Sequence, residues 1–139
     1  MGNEMSKAQI NIGLANGLSV GEGWLFRPGD VVKGSTSITA LESMNCRSVY
    51  IVLQWRTRGR GSTHIQVVQR VDVHQGEIKT DWPLSFNFEF VLPNEPWSYT
   101  GHYINIVWEL LVGIDLSWQS DPMQTATLIV LPERVVNSG

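Results

Sequence analysis

The sequence predicts an all-β protein folded as a two-layer antiparallel β-sandwich of seven or eight strands. Three observations support this prediction. Apolar residues recur at every second position over much of the chain, glycine and proline interrupt these runs at short intervals, and no stretch has convincing amphipathic helical spacing. Short connections favour antiparallel neighbours, because parallel neighbours need long crossovers. Strands with one apolar face each bury it best when two sheets pack together.

The first part of the chain predicts three strands separated by turns. Apolar residues alternate from Ala8 to Leu14, and the pair Asn16-Gly17 then indicates a turn. A brief alternation at Trp24 and Phe26 precedes Pro28-Gly29, which suits a type II turn because proline fixes φ and glycine accepts a positive φ. The next strand is predicted from Val31 to Leu41.

The middle of the chain predicts a hairpin. Alternation from Val49 to Trp55 indicates one strand, and the run from about His64 to Val73 indicates its return partner. The segment from Arg58 to Ser62 (RGRGS) contains two glycines and is predicted to be a flexible hairpin loop. The apolar residues of the return strand are expected on one face: Ile65, Val67, Val71 and Val73.

The strongest strand signal runs from Trp82 to Leu92. Its apolar residues all fall on one side, whereas a helix would scatter them around its axis. The prediction therefore places Trp82 and four strand residues in the core: Leu84, Phe86, Phe88 and Phe90. The segment from Pro93 to Pro96 ends this strand.

The last two predicted strands follow. The run from His102 to Leu116 alternates well, although Ile104, Trp108 and Leu111 would also suit a helix. Its β-branched content and Gly113 favour a strand. The segment from Thr125 to Leu131 is predicted to be the final strand.

Length and charge define the class of protein. The 139 residues suit one domain, predicted over residues 8–132, with residues 1–7 and 133–139 as loose tails. The net charge is −3, so the chain lacks the basic excess of a nucleic-acid-binding domain, and no nucleic-acid partner is expected. No apolar run is long enough for a transmembrane segment, and no secretory signal is visible, so a cytoplasmic location is expected. The single cysteine, Cys46, excludes an intramolecular disulfide.

The titratable residues predict no catalytic or metal site. His64 and His74 lie about 33 Å apart on a straight strand, so they cannot share a metal ion there. The chain has no phosphate-binding glycine loop, and no spacing selects a catalytic pair of carboxylates. The sequence therefore predicts a protein that is not an enzyme, with no catalytic residue, cofactor or metal ion.

A cluster of arginines is the first candidate binding feature. Arg56, Arg58 and Arg60 occupy alternate positions where a strand enters the predicted hairpin loop. Alternate residues of a strand share a side, so the three side chains are expected to project together. Such a group can bind an acidic or phosphate-bearing partner, although a solvated hairpin tip has the same composition.

Aromatic residues in loop-like surroundings are the second candidate. Trp97, Tyr99 and Tyr103 follow the predicted Phe-rich strand and precede the next one. Exposed aromatic side chains can anchor a protein partner or stack on a sugar, and they can also fold back over the end of the sandwich. These three residues are therefore candidate partner-binding residues.

Three motifs, in order along the chain, resemble those of arrestin-type domains. The run from Trp24 to Gly34 (WLFRPGDVVKG) is similar to their aromatic-x-Pro-Gly-acidic-x-Val-x-Gly opening. The run from Phe86 to Pro93 (FNFEFVLP), followed by Pro96 to Gly101 (PWSYTG), resembles their Phe-x-Phe-x-Leu-Pro strand and its Pro/Ser/Tyr/Gly corner. The run from Ile106 to Val112 (IVWELLV) stands where the family has a Val-x-Tyr-x-Leu-x-Val strand. The resemblance covers roughly residues 8–132.

The resemblance implies an arrestin-like sandwich, immunoglobulin-like in its layering, and a scaffold or adaptor role in binding protein partners. The superfamily also includes bacterial sporulation-control proteins and the arrestin-related retromer subunit. Arrestins carry two such domains and bury a charged network between them. This chain has room for one domain and shows no members of that network, so receptor or phosphate sensing is not implied. A lone domain lacks the neighbour that covers part of its surface, so we expect a homodimer or larger homo-oligomer, formed through an edge strand or the aromatic corner.

Three functions stay open on the sequence alone. A non-catalytic protein-interaction module, binding an unidentified protein through a sheet edge or end loops, explains most features. A carbohydrate-binding module is supported by the sandwich and the six tryptophans, but the missing secretion signal opposes it. A small hydrolase is the third.

Overall fold

A computed structural model describes residues 7–59, 61–117 and 119–132, with the side chain of Ser62 left undescribed. These residues form an all-β fold without a helix. Ten strands follow one another: β1 (Ala8–Leu14), β2 (Leu18–Val20), β3 (Gly23–Phe26), β4 (Val31–Ala40), β5 (Met44–Gly59), β6 (Ser62–Ile78), β7 (Leu84–Val91), β8 (Tyr99–Thr100), β9 (Ile104–Asp115) and β10 (Met123–Val130). The predicted all-β class is confirmed. The predicted tails lie outside the described residues except for Lys7.

The strands form two sheets. The smaller sheet has the order β1-β4-β7, and the larger has the order β2-β3-β10-β9-β5-β6. The short strand β8 also pairs with β9, on the same side of β9 as β10. The prediction of seven or eight strands is wrong by two or three. Strands β2 and β8 have 3 and 2 residues, which is too short for alternation to show in a sequence.

The expectation of antiparallel pairing is also wrong at one place. Strand β3 runs parallel to β10, with Trp24 opposite Leu128 and Phe26 opposite Val130. The connection between these two strands comprises most of the chain, so the long crossover that parallel pairing needs is available.

The core lies between the two sheets. Strands β5 and β9 share a register in which Ile51 faces Val112 and Leu53 faces Leu110, and all four side chains are fully buried. The smaller sheet contributes Phe90 and other apolar residues to the same cluster. Each sheet thus buries the alternating apolar face that its sequence predicts.

The Pro28-Gly29 turn forms as the sequence predicts. The Asp30 amide donates to the Arg27 carbonyl at 3.0 Å, and the Asp30 carboxylate accepts from the Arg27 amide at 2.9 Å. Gly29 has a φ of 86°, which suits a residue without a Cβ. The turn sets the start of β4.

The core prediction for β7 holds in part. Phe88 and Phe90 are buried, and Leu84 and Phe86 pack partly buried against the core. Trp82 is 70% exposed and precedes the strand, so its placement in the core is wrong. The alternating pattern of the sequence extends to Trp82, but Pro83 lies between Trp82 and the first residue of β7 that pairs with β4, Leu84.

The apolar residues of β6 do not share one face as predicted. Ile65 and Val67 lie opposite Arg56 and Gln54, whereas Val71 lies opposite Ile51 on the other face. The cause is a β-bulge: pairing shifts between Leu53 and Gln54, which leaves one extra residue on β6. An extra residue reverses the side on which all later side chains project.

Candidate functional site

The strand register places the two predicted binding features at one end of the larger sheet but on opposite faces: Arg58 shares a face with Asn105, whereas Tyr99 shares the other face with Ile106. On β5, Arg58 lies opposite Asn105 of β9, and Gly59 lies opposite Ile104. On the other side of β9, Thr100 of β8 also pairs with Asn105. We call this the distal end, comprising residues 55–59, 95–107 and the start of β6. Arg60 lies outside the described residues.

The aromatic corner of the distal end is exposed. Trp97, Tyr99 and Tyr103 are 48%, 54% and 69% exposed. His102 contacts Tyr103 edge to face, with ring centroids 4.5 Å apart. Three large aromatic side chains in one exposed corner are typical of an interface anchor.

Hydrogen bonds to the backbone hold this corner in place. The fully buried Trp108 donates its indole Nε1 to the Pro96 carbonyl at 2.8 Å. Ser98 makes two bonds to the backbone of Val130, and Trp97 Nε1 donates to the Asn94 carbonyl at 2.9 Å. The corner is therefore preorganised, which reduces the ordering cost on binding.

A small pocket lies within the corner. It has a volume of about 300 Å³ and is lined mainly by apolar groups of Pro96, Trp97, Tyr99 and Ile106. This volume is at the lower limit of small-molecule sites, which span about 300–1,000 Å³. The pocket is suited to an apolar side chain of a partner.

The two described arginines of the cluster have different surroundings. Arg58 is exposed. The Arg56 side chain is 29% exposed, with Nε at 3.5 Å from Oε1 of Glu109, and this Nε makes no hydrogen bond. The other oxygen of Glu109 accepts from Gln54 Nε2 at 2.7 Å. The buried carboxylate of Glu109 thus compensates the positive charge of Arg56.

Glu109 and Gln54 are functional candidates that sequence reasoning missed. Both are buried on the face of the larger sheet that lies away from the smaller sheet, and they are directly opposite each other. A charged residue within the mostly apolar strand from Ile104 to Asp115 is the signal that could have identified Glu109. Gln54 could not be identified in this way, because its position opposite Glu109 depends on the register between β5 and β9, which the sequence of one strand does not reveal.

A second concave site lies beside β1. This groove, with a volume of about 660 Å³, runs between residues 7–11 on one side and Leu116 and residues 119–124 on the other. Asp121 is fixed there by the Tyr50 hydroxyl, which donates at 2.8 Å, and by the Leu116 amide at 3.2 Å. Burial, and then the contact with Asp121, raise the pKa of Tyr50, so the phenol stays a donor. Lys7 is paired with Glu42 at 3.3 Å.

The titratable residues outside these sites form no metal centre in the described ranges. No three His, Cys, Asp or Glu side chains there come together as ligands. His64 and His74 each lie beside a different ring, Trp55 and Phe86. Cys46 is buried, and burial raises the pKa of its thiol. The described residues also contain no helix long and apolar enough to cross a membrane.

The fold defines the chain as an arrestin-like β-sandwich, as the sequence motifs predicted. It is similar to the crystal structure of Spo0M, a sporulation control protein from Bacillus subtilis, with a TM-score of 0.68 and 15% sequence identity. The match covers 91% of this chain and 50% of that one, so the chain spans half the length of that protein. No family model and no curated protein matches the chain. Identity this low establishes the shared fold alone.

Proposed function

We propose that the chain is a non-catalytic protein-interaction module that acts as a scaffold or adaptor. Its partner binds at the distal end, through Trp97, Tyr99 and Tyr103, and reaches Arg58 around the end of the sheet, because Arg58 and Tyr99 lie on opposite faces. The observation that carries the proposal is the convergence of the exposed aromatic corner and the arginine hairpin at one end of the larger sheet. The module acts in the cytoplasm.

The chemistry of the distal end describes its partner. The pocket between Trp97 and Tyr99 takes an apolar side chain, because its lining is mainly apolar. Arg58 projects from the opposite face at the same end of the sheet, and it pairs with an acidic group of a partner segment that continues around this end. Arg56 adds little charge to the surface, because Glu109 compensates it. This arrangement favours an acidic, apolar segment of a protein over nucleic acid, which needs a wider basic surface.

The test is a binding measurement with a matched control. A photo-crosslinking residue at Tyr103 captures the partner from the source cells, and the purified partner is then titrated against variants. We expect Trp97→Ala to raise Kd by about 30-fold or more, as for a central anchor. Trp82→Ala removes a tryptophan elsewhere that is more exposed than Trp97, and it should leave Kd unchanged. Equal effects of the two variants, or no effect of Trp97→Ala, would refute the distal end as the site.

The groove beside β1 favours carbohydrate binding as a second candidate function. Four uncharged amides line it, from Gln9, Asn11, Gln119 and Gln124, and such groups hydrogen-bond sugar hydroxyls. A glycan array tests this candidate. Binding that Gln124→Ala abolishes and Trp97→Ala leaves intact would support it, and an array without binding would remove it.

A further inference from the structure

Strand β6 forms one edge of the larger sheet. Its described pairing is with β5 alone, over residues 62–78, and it contains no proline. Four apolar side chains along it are 38–53% exposed: Ile65, Val67, Val68 and Val71. An edge of this kind offers unpaired backbone groups to another strand.

Two bulges delimit the middle segment of β6, and residues 62–67 before it also pair regularly with β5. Val68 and Val73 have no opposite residue on β5, whereas the residues from Gln69 to Asp72 pair without interruption. Arg70 and Asp72 lie on one face of this segment, opposite Val52 and Tyr50. Val71 lies on the other face.

Two opposite charges are held at this edge. Oδ1 of Asp72 accepts from Ser48 Oγ at 2.8 Å and from Arg70 Nε at 3.1 Å, and the Arg70 guanidinium lies 4.4 Å from the centroid of the Tyr50 ring. The hydrogen bond from Ser48 lowers the pKa of Asp72. Both charged side chains are about half exposed, so each can contact a further group.

Symmetry restricts how this segment can pair with a copy of itself. A two-fold axis perpendicular to the sheet keeps every side chain on its own face. Residues that lie opposite each other across the axis are therefore an even number of positions apart, so the axis passes between the two copies of a single residue. An axis at Arg70 opposes two arginines, and an axis at Asp72 opposes two aspartates. An axis at Val71 places each Arg70 opposite Asp72 of the second copy, and like charges directly opposite are unfavourable.

We propose that β6 pairs antiparallel with β6 of a second copy, about a two-fold axis at Val71. The two larger sheets then form one continuous sheet, with Arg70 and Asp72 making two reciprocal cross-strand pairs. The other described edges lack this complementarity. Strands β1 and β2 carry no charged side chain, and β7 carries Glu89 alone.

The charged pairs of this interface lie outside the distal end, and the proposal does not rest on the proposed function. Arg70 and Asp72 lie opposite Val52 and Tyr50, towards the middle of the sheet. The protein can therefore self-associate whether or not the aromatic corner binds a partner. The tests of the two proposals use different residues.

A charge exchange tests the proposed register. Light scattering over a range of micromolar concentrations should show a dimer for the natural protein. Arg70→Asp leaves a copy with two negative groups at the edge, and Asp72→Arg leaves a copy with two positive groups. We expect each variant alone to raise the dissociation constant at least about tenfold, because attractive pairs become repulsive. Mixing the two variants should restore dimers, and so should the double exchange.

The control for this experiment is Lys33→Asp. Lys33 is exposed on β4 of the smaller sheet, away from the β6 edge, and the substitution makes the same change in net charge as Arg70→Asp. Its assembly should match that of the natural protein. A natural protein that is monomeric at every concentration, single variants that assemble normally, or a mixture that fails to associate would each overturn the proposal.

Cross-linking provides a second test that does not depend on charge. An axis at Val71 places the two copies of that residue directly opposite, with Cα atoms about 4.5–5.5 Å apart, which is within disulfide range. Val71→Cys should therefore form a covalent dimer on mild oxidation. Thr63→Cys lies on the same exposed strand but faces residue 79 of the second copy, so it should not. Equal cross-linking of both variants, or none at Val71→Cys, would contradict the register.

Discussion

Replacing Glu109 by glutamine tests the buried polar cluster behind the distal end. In the native protein, the carboxylate of Glu109 accepts from Gln54 at 2.7 Å and compensates Arg56 at 3.5 Å. The Glu109→Gln side chain keeps the shape but loses the negative charge. Arg56 Nε, which is buried and makes no hydrogen bond, would then face a neutral amide.

The expected cost follows from the geometry. Two unit charges 3.5 Å apart interact by about 5 kcal/mol at an effective dielectric constant of ~20. Because 29% of the Arg56 side chain is exposed, water can solvate part of the released charge. We therefore expect Glu109→Gln to lower the free energy of unfolding by about 1–3 kcal/mol. For a domain of this size, the melting temperature should fall by about 3–10 °C.

Thermal and urea unfolding of a double-mutant cycle measure this effect. Arg56→Gln removes the cation, so the variant carrying both substitutions no longer contains an uncompensated charge. Its loss of stability should be smaller than the sum of the two single losses by at least about 1 kcal/mol. If Glu109→Gln melts at the native temperature, or if the two losses simply add, the cluster does not compensate Arg56 as described.

Three further predictions concern the core and its titratable groups. Phe90→Ala should cost about 3–5 kcal/mol in urea unfolding, because Phe90 is buried, whereas Val91→Ala on the exposed side should stay within about 0.5 kcal/mol. The raised pKa of Tyr50 means that the folded state holds this proton more tightly, so stability is full below about pH 10 and falls above it. A Tyr50→Phe variant should therefore lose less stability in alkaline titrations than the natural protein, and an equal loss would contradict the assignment. Cys46 should react with a thiol reagent far more slowly in the folded state than in urea, because its thiol is buried with a raised pKa; equal rates would show that the site opens readily.

The period of two in the sequence identified the long strands, but it set the bounds of β5 and β6 too narrow: both strands extend beyond the predicted runs, and Arg58 and Gly59 belong to β5 and not to a loop. Alternation identified β4, β7 and β9, because each buries one face against the other sheet. It missed β8, since the two residues Tyr99 and Thr100 cannot display a period. It also extended the β7 pattern to Trp82, because alternation does not report where backbone pairing stops.

The candidate site was predictable as residues but not as an arrangement. Composition alone selected the arginines of the hairpin and the aromatic corner. Their proximity depends on the pairing of Arg58 with Asn105 and of Asn105 with Thr100, which joins three strands. The bulge at Val68 could not be predicted from the sequence either. Val68 differs from its neighbours only in having no residue opposite it on β5, and the sequence does not record this pairing.

The parallel pairing of β3 with β10 has a consequence for synthesis of the protein. Trp24 and Leu128 are partners, yet about 100 residues separate them, so this part of the larger sheet closes a very long loop. On a translating ribosome, β3 emerges early and has no ladder partner except the three-residue β2 until β10 has followed. The larger sheet is therefore completed late, and its assembly should be slow for the size of the domain. During that interval, the unpaired edges of β3 and β9 are the segments that most need protection from aggregation.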